Sequence, residues 1–188
     1  MSVVVAVRKN GKTVLAADSL TTFGDSEMTP GINARSAKIS RIGNAVVGST
    51  GWGVYDDILA HYLRDRDAPD LSTAQSIFAF FLEFWKALHD AYPFVNDQAG
   101  GKDTPFGDLD STFLVGSALG IFKVSSDLGV TPFERYYAVG SGSEYALGAL
   151  YESYDGLGES DLIARGAVSA ACAFDVHCGG DIDVLSVT

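Results

Sequence analysis

The sequence predicts an α+β protein, a sandwich of two β-sheets between two layers of helices. Three observations carry that prediction. The strand-like segments are dense apolar runs rather than strict alternations, so both of their faces must be covered. The helix-like segments come in two pairs, each following a group of strands. No internal repeat and no linker composition interrupts the chain, so residues 2–188 are expected to form one domain.

The elements follow in order. Val3-Val4-Val5-Ala6-Val7-Arg8-Lys9 is β-branched and apolar. Asn10-Gly11 comes next, a pair that tolerates the positive φ of a two-residue hairpin turn, and Lys12–Asp18 is the returning strand. Residues 19–35, with Gly24, Pro30 and Gly31, read as loop. A second hairpin runs from 37–42 through Gly43-Asn44 into 45–49. The apolar period then lengthens to that of a helix over 54–66, and Ser72 caps a longer helix through Ile77, Phe80, Phe81, Phe84, Trp85 and Leu88. Its aromatic stripe is core-forming. Residues 93–108 form a long Gly/Asp/Pro-containing loop of the kind often given to function. Strands resume at 111–115, 120–124 and 135–139, followed by helices over 144–154 and 160–174 and a last strand over 182–187.

Composition narrows the function. The chain has 188 residues, 47% hydrophobic and 20% charged, enough to bury a sizeable core. Thirteen basic against 24 acidic residues give a net charge of −11, which repels phosphates and excludes a nucleic-acid binder. The acidity serves solubility; a cavity favouring basic or neutral peptides is the sharper alternative. The apolar run at 3–7 is too short for a signal-peptide core, and nothing approaches the ~20 apolar residues of a membrane span. Cys172 and Cys178 have no zinc-site spacing and make no disulfide framework. The cytoplasm is the expected compartment.

Ser2 is the first candidate for chemistry. A small second residue favours removal of Met1, which would leave Ser2 with a free α-amine. Such a residue carries nucleophile and base together, because an α-amine titrates near neutrality, at a pKa of about 7.7–8.0. On its own a Met-Ser start means little. The run from Ser2 to Gly11, closing at Ala17-Asp18, resembles the start of a mature catalytic proteasome β-subunit, and still more that of the bacterial HslV peptidase. In that family the first residue of this strand, usually Thr, is the nucleophile.

The resemblance implies a four-layer αββα sandwich of the N-terminal-nucleophile hydrolase kind. Aligned without gaps, Ser2 takes the nucleophile's place and Asp18 that of the active-site Asp. Lys38, within Ala37-Lys38-Ile39, matches the family lysine beside the nucleophile, whose ammonium would favour a neutral, basic amine by like-charge repulsion. Within Gly48-Ser49-Thr50-Gly51, the Gly51 N–H would bind the oxyanion and Ser49 would sit at the base of the specificity pocket; Thr22 is the other substrate-binding candidate. Ser141, in Gly140-Ser141-Gly142-Ser143, would hydrogen-bond near the free amine. Asp175-Val176-His177-Cys178-Gly179-Gly180 is similar to the proteasomal Asp-x-x-Ser-Gly-Gly segment, with Asp175 holding the amine region and Cys178 where the family has Ser. Neighbours on an extended chain point to opposite faces, which sets aside a His177–Cys178 catalytic pair. His61 and His89 fall on helices, and no metal cluster is evident.

The resemblance spans the whole chain and, with the small size, serine and acidity, points to the betaproteobacterial proteasome homologue group. It implies a cofactor-free peptidase in stacked homo-oligomeric rings, acting on peptides or unfolded polypeptides, with an unfoldase partner unspecified. Two other functions remain open at this level: a non-catalytic ring subunit, and an N-terminal-nucleophile amidase acting on a small molecule.

Overall fold

The structure is a computed structural model that describes residues 2–23, 26–28, 32–33, 36–92, 109–156 and 158–187. The loop expected over 93–108 and the expected loss of Met1 lie outside the described residues. Strands β1 (Val3–Lys9) and β2 (Lys12–Asp18) form the first hairpin, with Lys9 opposite Lys12. Asn10 and Gly11 take φ of 55° and 76°, the left-handed pair that an Asn-Gly turn supplies. Next come β3 (Thr21–Phe23), β4 (Ser26–Met28), β5 (Ile39–Ile42), β6 (Ala45–Gly51), α1 (Val54–Leu63) and α2 (Ala74–Ala91). The second half holds β7 (Ser111–Ser117), β8 (Ile121–Val124), β9 (Val130–Phe133), β10 (Tyr136–Gly140), α3 (Ser143–Ser153), α4 (Ser160–Phe174) and β11 (Ile182–Val187).

One sheet runs β10-β1-β2-β11 and the other β5-β6-β7-β8-β9, with every described pairing antiparallel. The alternation of β1 explains the layers. Val3, Val5 and Val7 pack with Val14 and Ala16 against Ala146 and Leu150 of α3 and Ile163, Ala167 and Ala171 of α4. Val4 and Ala6, on the other face, meet Val46, Leu114 and Ile121 of the second sheet. That sheet's outer face, with Val47, Phe113 and Val115, is covered by Tyr55, Ile58 and Leu59 of α1 and Phe81, Phe84 and Leu88 of α2. The order is therefore helix, sheet, sheet, helix, as the residue pattern predicts. Val3 through Val7 are all fully buried, and each such valine contributes roughly 1.5–3 kcal/mol.

Five local expectations need correction. Residues 19–35 are not all loop: β3 and β4 pair within them, Thr21 opposite Met28, and three-residue strands are too short to show a period. The cap of α2 is Thr73 rather than Ser72. Thr73 Oγ1 accepts from the Ser76 N–H and Ser76 Oγ accepts from the Thr73 N–H, both at 3.1 Å, a capping box closed by serine where the sequence signature looks for Glu or Gln. Strand β9 escaped the pattern because Pro132 interrupts it; proline is tolerated there because β9 is an edge strand. Helix α1 stops at Leu63, short of 66, and β5 starts at Ile39 instead of 37.

The topology brings several chain segments to one end of the sandwich. β1 begins there beside the end of β10, with Val3 opposite Gly140. β2 ends there at Asp18, facing Ile182 at the start of β11.

Candidate active site

Asp18 is the hub of this end. Its side chain is fully buried at the end of β2. Oδ1 accepts the Val3 N–H at 2.9 Å and the Lys38 ammonium at 2.8 Å, while Oδ2 accepts the Gly179 N–H at 3.1 Å. A buried carboxylate is tolerable only when paired and hydrogen-bonded in this way. The Gly179 carbonyl in turn accepts the Ser19 and Leu20 N–H groups at 3.1 and 2.9 Å, lacing the approach to β11 onto the end of β2. Lys38, its side chain only 12% exposed, is held at its backbone too, because its carbonyl accepts the Ser49 N–H at 3.2 Å.

Ser2 is 6% exposed and is gripped through its carbonyl. That oxygen lies 3.4 Å from both the Gly142 N–H nitrogen and the Ser141 hydroxyl, each donating to it. Gly140 makes the grip possible. Its φ is +99°, and a Cβ there would lie 2.1 Å from the Ser2 carbonyl oxygen, so only glycine fits.

Asp175 closes α4 and stands behind Ser141. Its Oδ1 accepts the His177 N–H at 3.0 Å, and its Oδ2 accepts the Cys178 thiol at 3.4 Å. Burial pushes the Asp175 carboxyl up, but hydrogen bonds from the His177 N–H, Ser141 and Cys178, with the His177 charge, outweigh it and hold the group below its usual range. The hydroxyl of Ser141 donates to the Ser2 carbonyl and also helps to lower the Asp175 carboxyl. Residues 176–177 form a turn, not the extended chain expected, and Cys178 is turned inward while His177 stays half-buried.

Burial, then the charges of Asp18 and Asp175, push the Cys178 thiol up to about 12. The folded value lies above the ordinary 9.0, so its contribution to stability is complete below pH 9 and fades as pH rises through about 12. At pH 8 iodoacetamide is therefore expected to leave Cys178 unmodified in the native protein and to modify it in urea. Peptide mass mapping reads the difference, and rapid native labelling would contradict the assignment.

Ser2, Thr22, Lys38, Ser49, Gly51 and Ser141 line one cleft of about 1500 Å³. Asp18 and Asp175 are not among the residues that line it. Gly51 ends β6 opposite Ser111 with φ +132°, three residues before α1 begins. Ser49 donates its hydroxyl to Asp56 in the first turn of α1, tying strand to helix along the cleft wall. Sequence reasoning missed the Val3 and Gly179 amides and Asp56. Backbone donors leave no side-chain signal, and Asp56 is recognisable only once α1 is seen to border the cleft. His61 and His89 are exposed on α1 and α2, away from this cluster. Among the described residues, no group of three His, Cys, Asp or Glu side chains could hold a metal ion, and no helix is long and apolar enough to cross a membrane.

Comparison with known proteins places this geometry. No family model matches the chain. Proteasome subunit beta 1 of Thermococcus kodakarensis is 39% identical over 82 residues, 40% of this chain and 40% of that protein. A proteasome subunit beta of Halorubrum lacusprofundi is 41% identical over 64 residues, 32% of this chain and 26% of its own length. The matched stretches thus span well under half of these curated relatives. Solved structures match over nearly the whole length. Thiobacillus denitrificans BPH, also solved in complex with epoxomicin, has a TM-score of 0.89 at 31% identity, covering 98% of this chain and 97% of that one. HslV from Trypanosoma brucei shares the fold, with a TM-score of 0.69 at 20% identity over 98% of both chains. This chain belongs to the proteasome β-subunit/HslV family of N-terminal-nucleophile hydrolases, and it fits the betaproteobacterial group within that family.

Proposed function

We propose that the chain is a peptidase whose nucleophile is the hydroxyl of Ser2, acting once Met1 is gone and the α-amine is free. The observation that carries this reading is the fully buried Asp18, which binds Lys38 and the backbone of Val3 directly beside Ser2 in the cleft. In the first half-reaction Ser2 Oγ attacks the scissile carbonyl carbon, and its proton passes to the α-amine. The Gly51 N–H stabilises the oxyanion. The C–N bond then breaks, the amine returns the proton to the leaving nitrogen, and an ester on Ser2 remains. Water, deprotonated by the same amine, attacks that ester and releases the acid. The Lys38 ammonium favours the neutral amine by like-charge repulsion, and Asp18 fixes the ammonium in place. Ser141 and Asp175 hold the backbone of Ser2, while Thr22 and Ser49 contact substrate. The mechanism needs no cofactor.

We further propose one domain over 2–188, cytoplasmic, assembled as stacked homo-oligomeric rings with the clefts inside, acting on peptides or unfolded polypeptides. Family membership supports this assembly, and the epoxomicin complex of Thiobacillus denitrificans BPH supports a peptidase site.

A peptide epoxyketone tests the chemistry, because it is captured by a hydroxyl and a free amine on the same residue. Intact mass is expected to show loss of Met1 and one adduct per chain, with the adduct on the N-terminal peptide. No adduct on protein that has demonstrably lost Met1 would sink the mechanism.

A further inference from the structure

The oxyanion role given to Gly51 depends on which way one peptide unit faces. Gly51 has φ +132°, where any other residue is strained, and a Cβ there would lie 2.7 Å from the Asp110 carbonyl oxygen and 2.9 Å from Ser111 Oγ. A glycine also leaves the peptide plane before it free to turn, because its own φ accepts both signs. The Thr50–Gly51 unit therefore needs a restraint. In one orientation its N–H faces the cleft. Rotated by half a turn, it would present a carbonyl there and repel an oxyanion.

Ser111 supplies that restraint. It begins β7 directly opposite Gly51 and is 4% exposed. Its hydroxyl donates to the Thr50 carbonyl at 3.0 Å, in a buried bond. The carbonyl and N–H of a trans peptide point in opposite directions, so a Thr50 carbonyl held toward β7 turns the Gly51 N–H away from β7. On that other side of β6 lies β5, where the Lys38 carbonyl accepts the Ser49 N–H. Thr50 also borders Ser2: a Cβ on Gly140 would lie 2.1 Å from the Ser2 carbonyl oxygen and 3.1 Å from Thr50 Cγ2. The bond from Ser111 polarises the amide as well, because a carbonyl that accepts a hydrogen bond leaves its N–H a stronger donor.

We infer that Ser111 is a positioning residue for the hydrolysis, its hydroxyl locking the Thr50–Gly51 peptide with the Gly51 N–H toward the reacting carbonyl. The inference rests on the peptidase reading. Ser111 acts through the Gly51 N–H, whose bond to substrate strengthens only as the oxyanion forms. Its effect therefore falls on the rate of the chemical step and not on substrate binding.

Wild type, Ser111→Ala and Ser111→Thr are compared as assembled proteins with one fluorogenic peptide, the matching peptide aldehyde and the matching peptide alcohol. Ser2 Oγ adds to the aldehyde carbon, its proton passes to the α-amine, and the former carbonyl oxygen takes the place of the oxyanion. The alcohol has no carbonyl to attack. Ser111→Ala is expected to lower kcat about tenfold with KM unchanged, a part of the roughly 10²–10³ that losing an oxyanion donor outright costs. Its affinity for the aldehyde is expected to fall about tenfold too, while that for the alcohol stays the same. The ratio of the two affinities does not depend on how much of the sample is folded. Ser111→Thr keeps the hydroxyl and is expected to recover both kcat and the aldehyde affinity. Unchanged kcat and aldehyde affinity in Ser111→Ala overturn the inference and leave the peptidase reading intact. So does a loss shared equally by aldehyde and alcohol, which would make Ser111 a substrate-binding or purely structural residue. A Ser111→Thr protein as impaired as Ser111→Ala overturns it as well, because the hydroxyl would then not be what matters. Wild type that cleaves no peptide and binds the aldehyde no more tightly than the alcohol fails the peptidase reading itself, and the inference falls with it.

Discussion

Asp18→Ala is expected to destabilise the fold by about 3–5 kcal/mol, the range for breaking a buried ion pair from one side. Three donors lose their acceptor at once: the Lys38 ammonium at 12% side-chain exposure and the Val3 and Gly179 amides. Each amide left unsatisfied adds roughly 1–3 kcal/mol on its own, but the three share one carboxylate, so the penalties will not sum. Lys38→Met separates the charge from the hydrogen bonds. It removes the ammonium but leaves Asp18 with its two amide donors, so the stability loss should be smaller than for Asp18→Ala. The loss of epoxyketone labelling should be comparable, because Lys38→Met removes the ammonium beside the amine and Asp18→Ala removes the carboxylate that fixes it there. Urea unfolding gives the stability of each variant, and adduct formation against time gives the reactivity. Asp18→Ala protein that unfolds at the wild-type urea concentration would remove the hub from the account. Lys38→Met protein that labels at the wild-type rate would remove the ammonium from the mechanism.

The layered fold was legible in the sequence because β1 and β2 are apolar at nearly every position, a pattern that a sheet wet on one face does not show. The long helix α2 was legible from its aromatic stripe. What escaped was either short or encoded off the side chains. Strands β3 and β4 have three residues each, and β9 carries a proline. At the site, Ser2, Asp18 and Lys38 were found by family pattern, and the fold then sets them at one end of the sandwich. The Gly179 amide was invisible as a donor, since a backbone N–H leaves no side-chain signal. Asp175 was read from the same family pattern, but its partners, the His177 N–H and the Cys178 thiol, were not, because a one-dimensional pattern does not show the turn that folds them back onto it.

Ser2→Ala is expected to lower turnover by about 10³-fold or more, the scale seen when a nucleophile acting as part of a unit is removed. The fold should be unaffected to within roughly 0.5 kcal/mol, because Ser2 is held by Ser141 and Gly142 through its carbonyl, which the substitution keeps. This comparison alone identifies a nucleophile but not its base. Ser2→Thr restores a hydroxyl and adds a methyl that restricts χ1, so it should recover turnover and match or exceed the wild-type rate of ester formation. A form in which one residue precedes Ser2 makes the complementary test: the hydroxyl is present, but the amine is tied up in a peptide bond. Steady-state hydrolysis of a fluorogenic peptide should be lost in that form as completely as in Ser2→Ala. If the blocked form turns over while Ser2→Ala does not, Ser2 is still the nucleophile but its proton goes elsewhere, and Lys38 at the same cleft becomes the base. If both are silent, hydroxyl and amine are required on one residue, and that requirement separates an N-terminal nucleophile from an ordinary serine hydrolase.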